Sequence, residues 1–298
     1  MTGLWRFCKF SRLFSKTRRF FFEKNSVYCR KWIYPDKEGA GMLELLIGGA
    51  GTGKTDTVFH ELTHLAEQES APSLFLLVPE QFSFESEKTL LRRLGPQRAS
   101  RVQVLSFTRL AQTVFRELGG VAGKRMDDGA RVLLISQAIR EVTDHLNLYR
   151  RHAADPDYIQ AVLAFLSECK QCGLSPDQLT EISEALEEGT LKYKMRELGF
   201  IYGAYDALAS QTEQIDPLDD LTVLSRRIGE SRLFDGAYIY VDGFKGFTYQ
   251  EMQILGALIR RAGKMVVSLC TDTLSDDADN TDSADDAQEF GRFAPAIR

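Results

Sequence analysis

With 298 residues, the chain has length for about two domains. Its 44% hydrophobic and 27% charged residues describe a soluble globular protein with enough apolar side chain for a sizeable core. The net charge of −5 excludes a uniformly basic nucleic-acid binder, and five cysteines, an odd number without scaffold spacing, exclude a small disulfide-stapled fold. Reduced thiols and a cytoplasmic location follow as the default. No run of eighteen apolar residues and no continuous apolar leader segment is present, so neither a membrane span nor a secretory signal is expected.

The charge is unevenly placed. Residues 1–41 carry ten Lys/Arg against three Asp/Glu, with both tryptophans, Trp5 and Trp32, and the cluster Arg18-Arg19-Phe20-Phe21-Phe22. Basic residues interleaved with aromatics suit nucleic acid or an anionic surface. The favoured reading is an extension outside the fold, upstream of a start at Met42, because ordered α/β patterning begins there.

From Met42, 43-LELLIG-48 reads as a buried strand, then a glycine-rich turn, then a helix with Val58, Leu62, Leu65 and Ala66 on one face. Next come strand 74-LFLLVP-79, strand 102-VQVLSF-107 and helix 108–118, ended by Gly119-Gly120. Strands alternating with helices imply a parallel sheet. Helical periodicity takes over at 129–147, 156–172, 176–188, 191–211 and 217–229. Strand 237-AYIYVD-242, a helix at 248–262 and strand 264-KMVVSLC-270 resume the alternation. The expected architecture is an α/β core, 42–124 plus 233–272, interrupted by an all-helical insertion at 125–232. Residues 273–298 follow as an acidic flexible segment, with seven acids and no base over 276–289.

The strongest motif is 48-GGAGTGKT-55, which fits G-x-x-x-x-G-K-[ST] between a strand and an amphipathic helix. A chance match in a chain this long is on the order of one in a hundred at ordinary residue frequencies. Gly48, Gly49, Ala50, Gly51, Thr52 and Gly53 would turn backbone N–H groups toward phosphate oxygens at a helix N-terminus. Lys54 would reach the β- and γ-phosphates, and the Thr55 hydroxyl would join a Mg2+ shell. This is a P-loop, and ATP with Mg2+ is the expected ligand.

Further motifs follow in order: 78-VPEQFSFESEK-88, 104-VLSFTRLAQTVFREL-118 and 239-IYVDGFKGFTYQE-251. Order and strand-end placement resemble superfamily 1 DNA helicases, whose first lobe is a RecA-like parallel sheet. Asp242 takes the place of the acidic Mg2+ residue, and Gln81, Ser106, Phe107 and Gln250 fall where helicase motifs make their contacts. Where an active motor has glutamate, this chain has Gly243. The combination resembles more specifically the N-terminal portion of AddB, the B subunit of the bacterial AddAB-type helicase–nuclease, over residues 42–272. That family implies an AddA-type motor partner in a heterodimer, DNA as substrate, and processing of double-strand ends for recombinational repair. It also implies a much longer chain, with a second ATPase-like lobe and a nuclease domain holding a cysteine-bound iron–sulfur cluster. No position here matches that cluster. Without the glutamate and the second lobe's arginines, hydrolysis is expected to be weak or absent; the base alone is worth roughly 10²–10⁴ in rate. Other readings are a nucleotide-responsive structural module and an unrelated P-loop NTPase.

The remaining residues read plainly. Cys169 and Cys172 form a lone C-x-x-C on a helix, short of the four ligands a tetrahedral site needs. His60 and His64, lacking a third ligand, read as a surface pair. In the helical block, Arg131, Arg140, Arg150, Arg151, Lys192, Lys194 and Arg196 are DNA-contact candidates by the helicase resemblance and a solvated face otherwise.

Overall fold

In the computed structural model, the described residues are 18–24, 27–36, 39–119, 124–212 and 214–270, with side chains described from Met42 onward apart from Lys124. Strands β1 (Arg18–Lys24), β2 (Val27–Asp36) and β3 (Gly39–Gly48) lead into helix α1 (Lys54–Glu67) and strand β4 (Leu74–Leu77). Helix α2 (Ser83–Ala99), strand β5 (Val102–Leu105) and helix α3 (Phe107–Leu118) follow. Then come β6 (Lys124–Arg125), α4 (Asp128–Glu141), α5 (Pro156–Gln171), α6 (Pro176–Ala185), α7 (Thr190–Gln211), β7 (Gln214–Ile215) and α8 (Asp220–Arg227). Strand β8 (Tyr238–Val241), helix α9 (Tyr249–Ile259) and strand β9 (Lys264–Cys270) end the described chain.

The chain divides into two compact units. The first holds the chain up to Leu110, Ser231–Phe247 and the chain from Leu255. Its sheet has the order β1-β2-β3-β9-β8-β4-β5. The five strands from β3 to β5 are mutually parallel, so their C-terminal ends share one edge. Strand β4 is buried along its whole length, as expected of a parallel strand covered on both faces. Helix α1 packs by Val58, Phe59, Leu62 and Ala66 against Leu46, Leu76, Tyr240 and Val266 of the sheet. That stripe repeats at helical spacing, which is why this segment is a helix and why it lies on the sheet.

Two expectations change here. Over 18–36 the sequence reading placed an extension outside the fold, whereas the backbone of β1 and β2 forms an antiparallel hairpin that continues the sheet from β3. An open strand edge offers a row of unpaired N–H and C=O groups, and Phe-, Val-, Tyr- and Ile-bearing segments suit it. The second is α2, which the sequence reading does not predict. Its buried residues are only Ser83, Ser86, Leu90 and Leu94, a narrow stripe half made of serine, and its end is kinked at Gly95-Pro96.

The second unit holds Ala111–Glu230 and Thr248–Ile254, so the division falls near 110 rather than at 124. Its core gathers Ile135, Ile139, Leu166, Ile201 and Tyr205 from its helices. Local chemistry sets the helix starts. Asp127 caps α4, Asp155 caps α5 ahead of Pro156, and Ser175 and Gln178 form a reciprocal capping box at α6. Glu197, buried within α7, accepts N–H bonds from Asn147, Leu148 and Tyr149 at 2.7, 2.9 and 3.2 Å. Lys170 is buried among Asp216 (3.1 Å), Asp219 (2.8 Å) and Asp206 (3.5 Å). Among the described residues, no helix is long and apolar enough to cross a membrane.

Candidate functional site

The loop 48–53 leaves the C-terminal end of β3 and enters α1. Gly51 (φ 77°) and Gly53 (φ 92°) take left-handed conformations that a side chain disfavours, which is why glycines occupy those places. Gly53 is the N-cap residue and supplies no side-chain cap. The first turn closes with Thr57 N–H donating to Gly53 O at 2.9 Å, so the N–H groups of Lys54, Thr55 and Asp56 have no acceptor within the helix. Lys54 Nζ lies over the same loop, donating to Gly48 O (2.7 Å) and Gly49 O (2.6 Å), and Thr52 Oγ1 donates to Gly49 O at 3.0 Å. Thr55 is exposed. One ammonium, three N–H groups and a helix dipole form a donor set fitted to a polyanion.

Asp242 follows β8 at the same sheet edge, its N–H donating to Leu77 O of β4 at 3.0 Å. Its side chain is buried, and the Ser268 hydroxyl donates to its Oδ1. Strand β9 lies between β3 and β8, so loop and carboxylate stand two strands apart, roughly 9–10 Å at ordinary strand spacing. Ligands of parallel α/β sheets bind at this strand-end edge.

Gly243 has φ 81°, deep in the left-handed region. A Cβ there would meet only Pro79 Cδ and Phe82 Cδ2 at 3.5 Å, an ordinary contact. The constraint is therefore the backbone: the chain turns sharply after Asp242 in a way that glutamate disfavours. Phe244, next along, packs its ring 5.5 Å from Phe107 and 5.1 Å from Phe247.

The other motif residues have local work. Ser106 is buried and its Oγ accepts from Arg109 N at 3.2 Å, capping α3. Gln81 is exposed on a short helical turn, Glu80–Phe82. Gln250 corrects the sequence reading. It belongs to the second unit, is buried, and its amide donates to Thr222 Oγ1 at 2.6 Å, which commits it to packing. Glu251, the carboxylate nine residues after Asp242 in sequence, accepts from Thr248 N at 2.7 Å while its own N–H donates to Thr248 Oγ1 at 3.3 Å. That is a capping box at α9, and burial raises the Glu251 pKa.

Residues 60–64 (HELTH) carry the spacing of a zinc-protease helix, which the surface-pair reading of His60 and His64 overlooks. The geometry dismantles it. Glu61 Oε2 accepts from Tyr240 OH and Lys264 Nζ, both at 3.0 Å, and so faces the sheet, while His60 and His64 are exposed. No group of three metal-capable side chains occurs among the described residues. Cys169 does not fit an iron–sulfur ligand either, since it is buried among apolar side chains and burial pushes its thiol up to about 11.

Of the basic candidates in the helical block, Arg131 drops out. Its side chain is 13% exposed and lies 3.6 Å from Asp216, with a 3.2 Å bond to Ser167. Lys192 is paired with Glu188 at 2.6 Å, Arg150 reaches Asp144 at 3.3 Å, and Arg196 lies over the Tyr193 ring. Arg140, Arg151 and Lys194 are exposed.

Fold and site together define an α/β protein whose parallel strand ends carry a G-x-x-x-x-G-K-T loop and a buried aspartate. Residues 45–290 match the family described as ADDB, N-terminal. The chain is 35% identical over 240 residues to the B subunit of the ATP-dependent helicase/deoxyribonuclease of Thermoanaerobacter sp. (strain X514), covering 80% of this chain and 21% of that protein. The corresponding B subunit of Clostridium tetani (strain Massachusetts / E88) is 35% identical over 237 residues, covering 78% and 20%. That of Acetivibrio thermocellus is 33% identical over 241 residues, covering 80% and 21%. The chain belongs to the AddB N-terminal family, and it spans about a fifth of the length of the curated relatives it matches.

Proposed function

We propose that this chain is the nucleotide-binding N-terminal region of the B subunit of a two-subunit helicase–nuclease that processes DNA ends for recombinational repair. It holds ATP·Mg2+ and turns it over slowly or not at all. The observation carrying this reading is the pairing of a complete phosphate-type loop with Asp242 followed by a left-handed Gly243. The N–H groups of Lys54, Thr55 and Asp56 and the Lys54 ammonium would bind the β- and γ-phosphates. The Thr55 hydroxyl and the Asp242 carboxylate would hold the Mg2+ shell. When bound, ATP·Mg2+ supplies the phosphate charge that this donor set neutralises. Nothing at position 243 can accept a proton from water, and Glu251 is held by Thr248. On this reading an AddA-type motor subunit supplies strand translocation. Arg140, Arg151 and Lys194 are the exposed cations of the helical unit that remain as DNA contacts.

The test is binding of a fluorescent ATP analogue to the full chain, with steady-state hydrolysis measured beside it. Lys54→Ala removes charge-assisted bonds worth roughly 1.5–3 kcal/mol, so affinity should fall tenfold or more. Hydrolysis at motor-like rates that Lys54→Ala abolishes would overturn the reading, as would binding that Lys54→Ala leaves unchanged.

A further inference from the structure

Strand β9 is apolar and buried through Met265, Val266 and Val267, and then places a serine in its interior. A hydroxyl buried in a sheet needs a partner, and Ser268 has one: it donates to Asp242 Oδ1. The two side chains are both buried, with 5% and 4% of their residues' surface exposed. Strand β9 is also the strand that pairs with β3, with Leu46 opposite Ser268 and Gly48 opposite Cys270. Ser268 thus sits on the one strand that touches both the strand feeding the phosphate-type loop and the strand carrying Asp242.

We propose that Ser268 is a positioning residue: it locks the rotation of the Asp242 carboxylate and so presents Oδ2 to Mg2+ beside the loop. This rests on the nucleotide-binding reading above and deepens it. A carboxylate pinned at one oxygen has already given up the freedom that metal coordination would otherwise cost, and its second oxygen keeps its lone pairs for the cation or the cation's water. The hydroxyl is neutral and its bond is spent on Asp242 Oδ1, so its effect should appear only where Mg2+ is involved.

The experiment measures the affinity of the full chain for a fluorescent ATP analogue with and without Mg2+, with thermal unfolding alongside. The wild-type chain should bind more tightly with Mg2+. In Ser268→Ala the Mg2+-free affinity should stay within about twofold, while the gain from Mg2+ should shrink about tenfold, the scale of a lost hydrogen bond to a charged group. Ser268→Cys keeps the size with a weaker donor and should fall between the two. Should Ser268→Ala fail to fold, the cysteine variant alone decides, by a reduced Mg2+ gain at unchanged Mg2+-free affinity. The inference is overturned if the Mg2+ gain survives in the variants, if it is absent in the wild type, or if both affinities weaken equally, which is what a purely structural serine gives. Failure of the site reading itself is separable, because it shows as Mg2+-free binding that Lys54→Ala does not weaken.

Discussion

Writing a glutamate into position 243 asks directly why this strand end lacks one. Gly243 is exposed, and its Cβ would have only ordinary contacts at 3.5 Å with Pro79 and Phe82. Packing therefore contributes little, and the backbone at φ 81° contributes nearly everything. Holding an L-residue in the left-handed region costs about 1–2 kcal/mol. Gly243→Ala and Gly243→Glu should both lose that amount, lowering the melting temperature by about 2–8 °C at the usual 2–4 °C per kcal/mol for a unit this size. Gly243→Asn should lose less, since asparagine visits this conformation more readily. Thermal and urea unfolding of the full chain reads the series, and a coupled ATPase assay on Gly243→Glu reads the chemistry. The expected result is a destabilised protein with no gain in turnover. A stable Gly243→Glu protein that hydrolyses ATP at a motor-like rate would refute the reasoning, because it would show that the turn accepts a glutamate and that only the side chain was missing.

Two further outcomes concern the helical unit. Glu197→Ala removes the acceptor of three N–H bonds at Asn147, Leu148 and Tyr149. At about 1–3 kcal/mol for a donor left unmade, hydrogen exchange at those amides should accelerate about fivefold or more, while Glu197→Gln, which keeps one acceptor oxygen, should lose less. Lys170→Met leaves buried Asp216 with only the more distant Arg131 at 3.6 Å and should cost up to about 3–5 kcal/mol, seen as a lower urea midpoint. Burial works to lower the Lys170 pKa, but the charges of Asp219 and Asp216 outweigh it and raise the value above the ordinary 10.5. A raised folded pKa means that the stabilisation is complete below 10.5 and is lost as pH climbs through the higher folded value. The wild-type urea midpoint should therefore fall on the alkaline side of that point more steeply than that of Lys170→Met.

What could be read in the sequence was whatever a local run determines. The loop 48–55 declares itself by spacing, β4 by four consecutive apolar residues, and α5 and α6 by Asp155-Pro156 and Ser175-Pro176 at their starts. Helix α2 escaped because Ser83 and Ser86 fill half of its inward face, so its periodicity is faint in hydrophobicity alone. Sheet order escaped because parallel neighbours are joined by long crossovers, and nothing local in 264-KMVVSLC-270 says that it inserts between β3 and β8. Ser268 did leave a trace, as the one hydroxyl in an otherwise apolar strand core, and a buried polar residue of that kind is more informative than the valines around it. Gln250 misled for the opposite reason: its place in a motif suggested a ligand contact, while its burial and its bond to Thr222 were decided by tertiary packing.

On the proposed nucleotide-binding reading, the placing of the two halves of the site bears on why binding and turnover can part. The loop needs only its own glycines, Lys54 and the start of α1, all fixed within eight residues by φ values and spacing. The metal side needs a carboxylate two strands away, delivered by β8 and steadied by β9. A hydrolytic base would need a third condition, a side chain projecting from the residue after Asp242, and the left-handed turn at Gly243 removes it at the level of the backbone. Losing the third condition leaves the first two intact. A backbone so turned also gains something in return: it carries Phe244 into the ring contacts with Phe107 and Phe247 that anchor the segment after β8. A glutamate at 243 would thus meet the φ value, while the ring contacts of Phe244 fix the segment that follows.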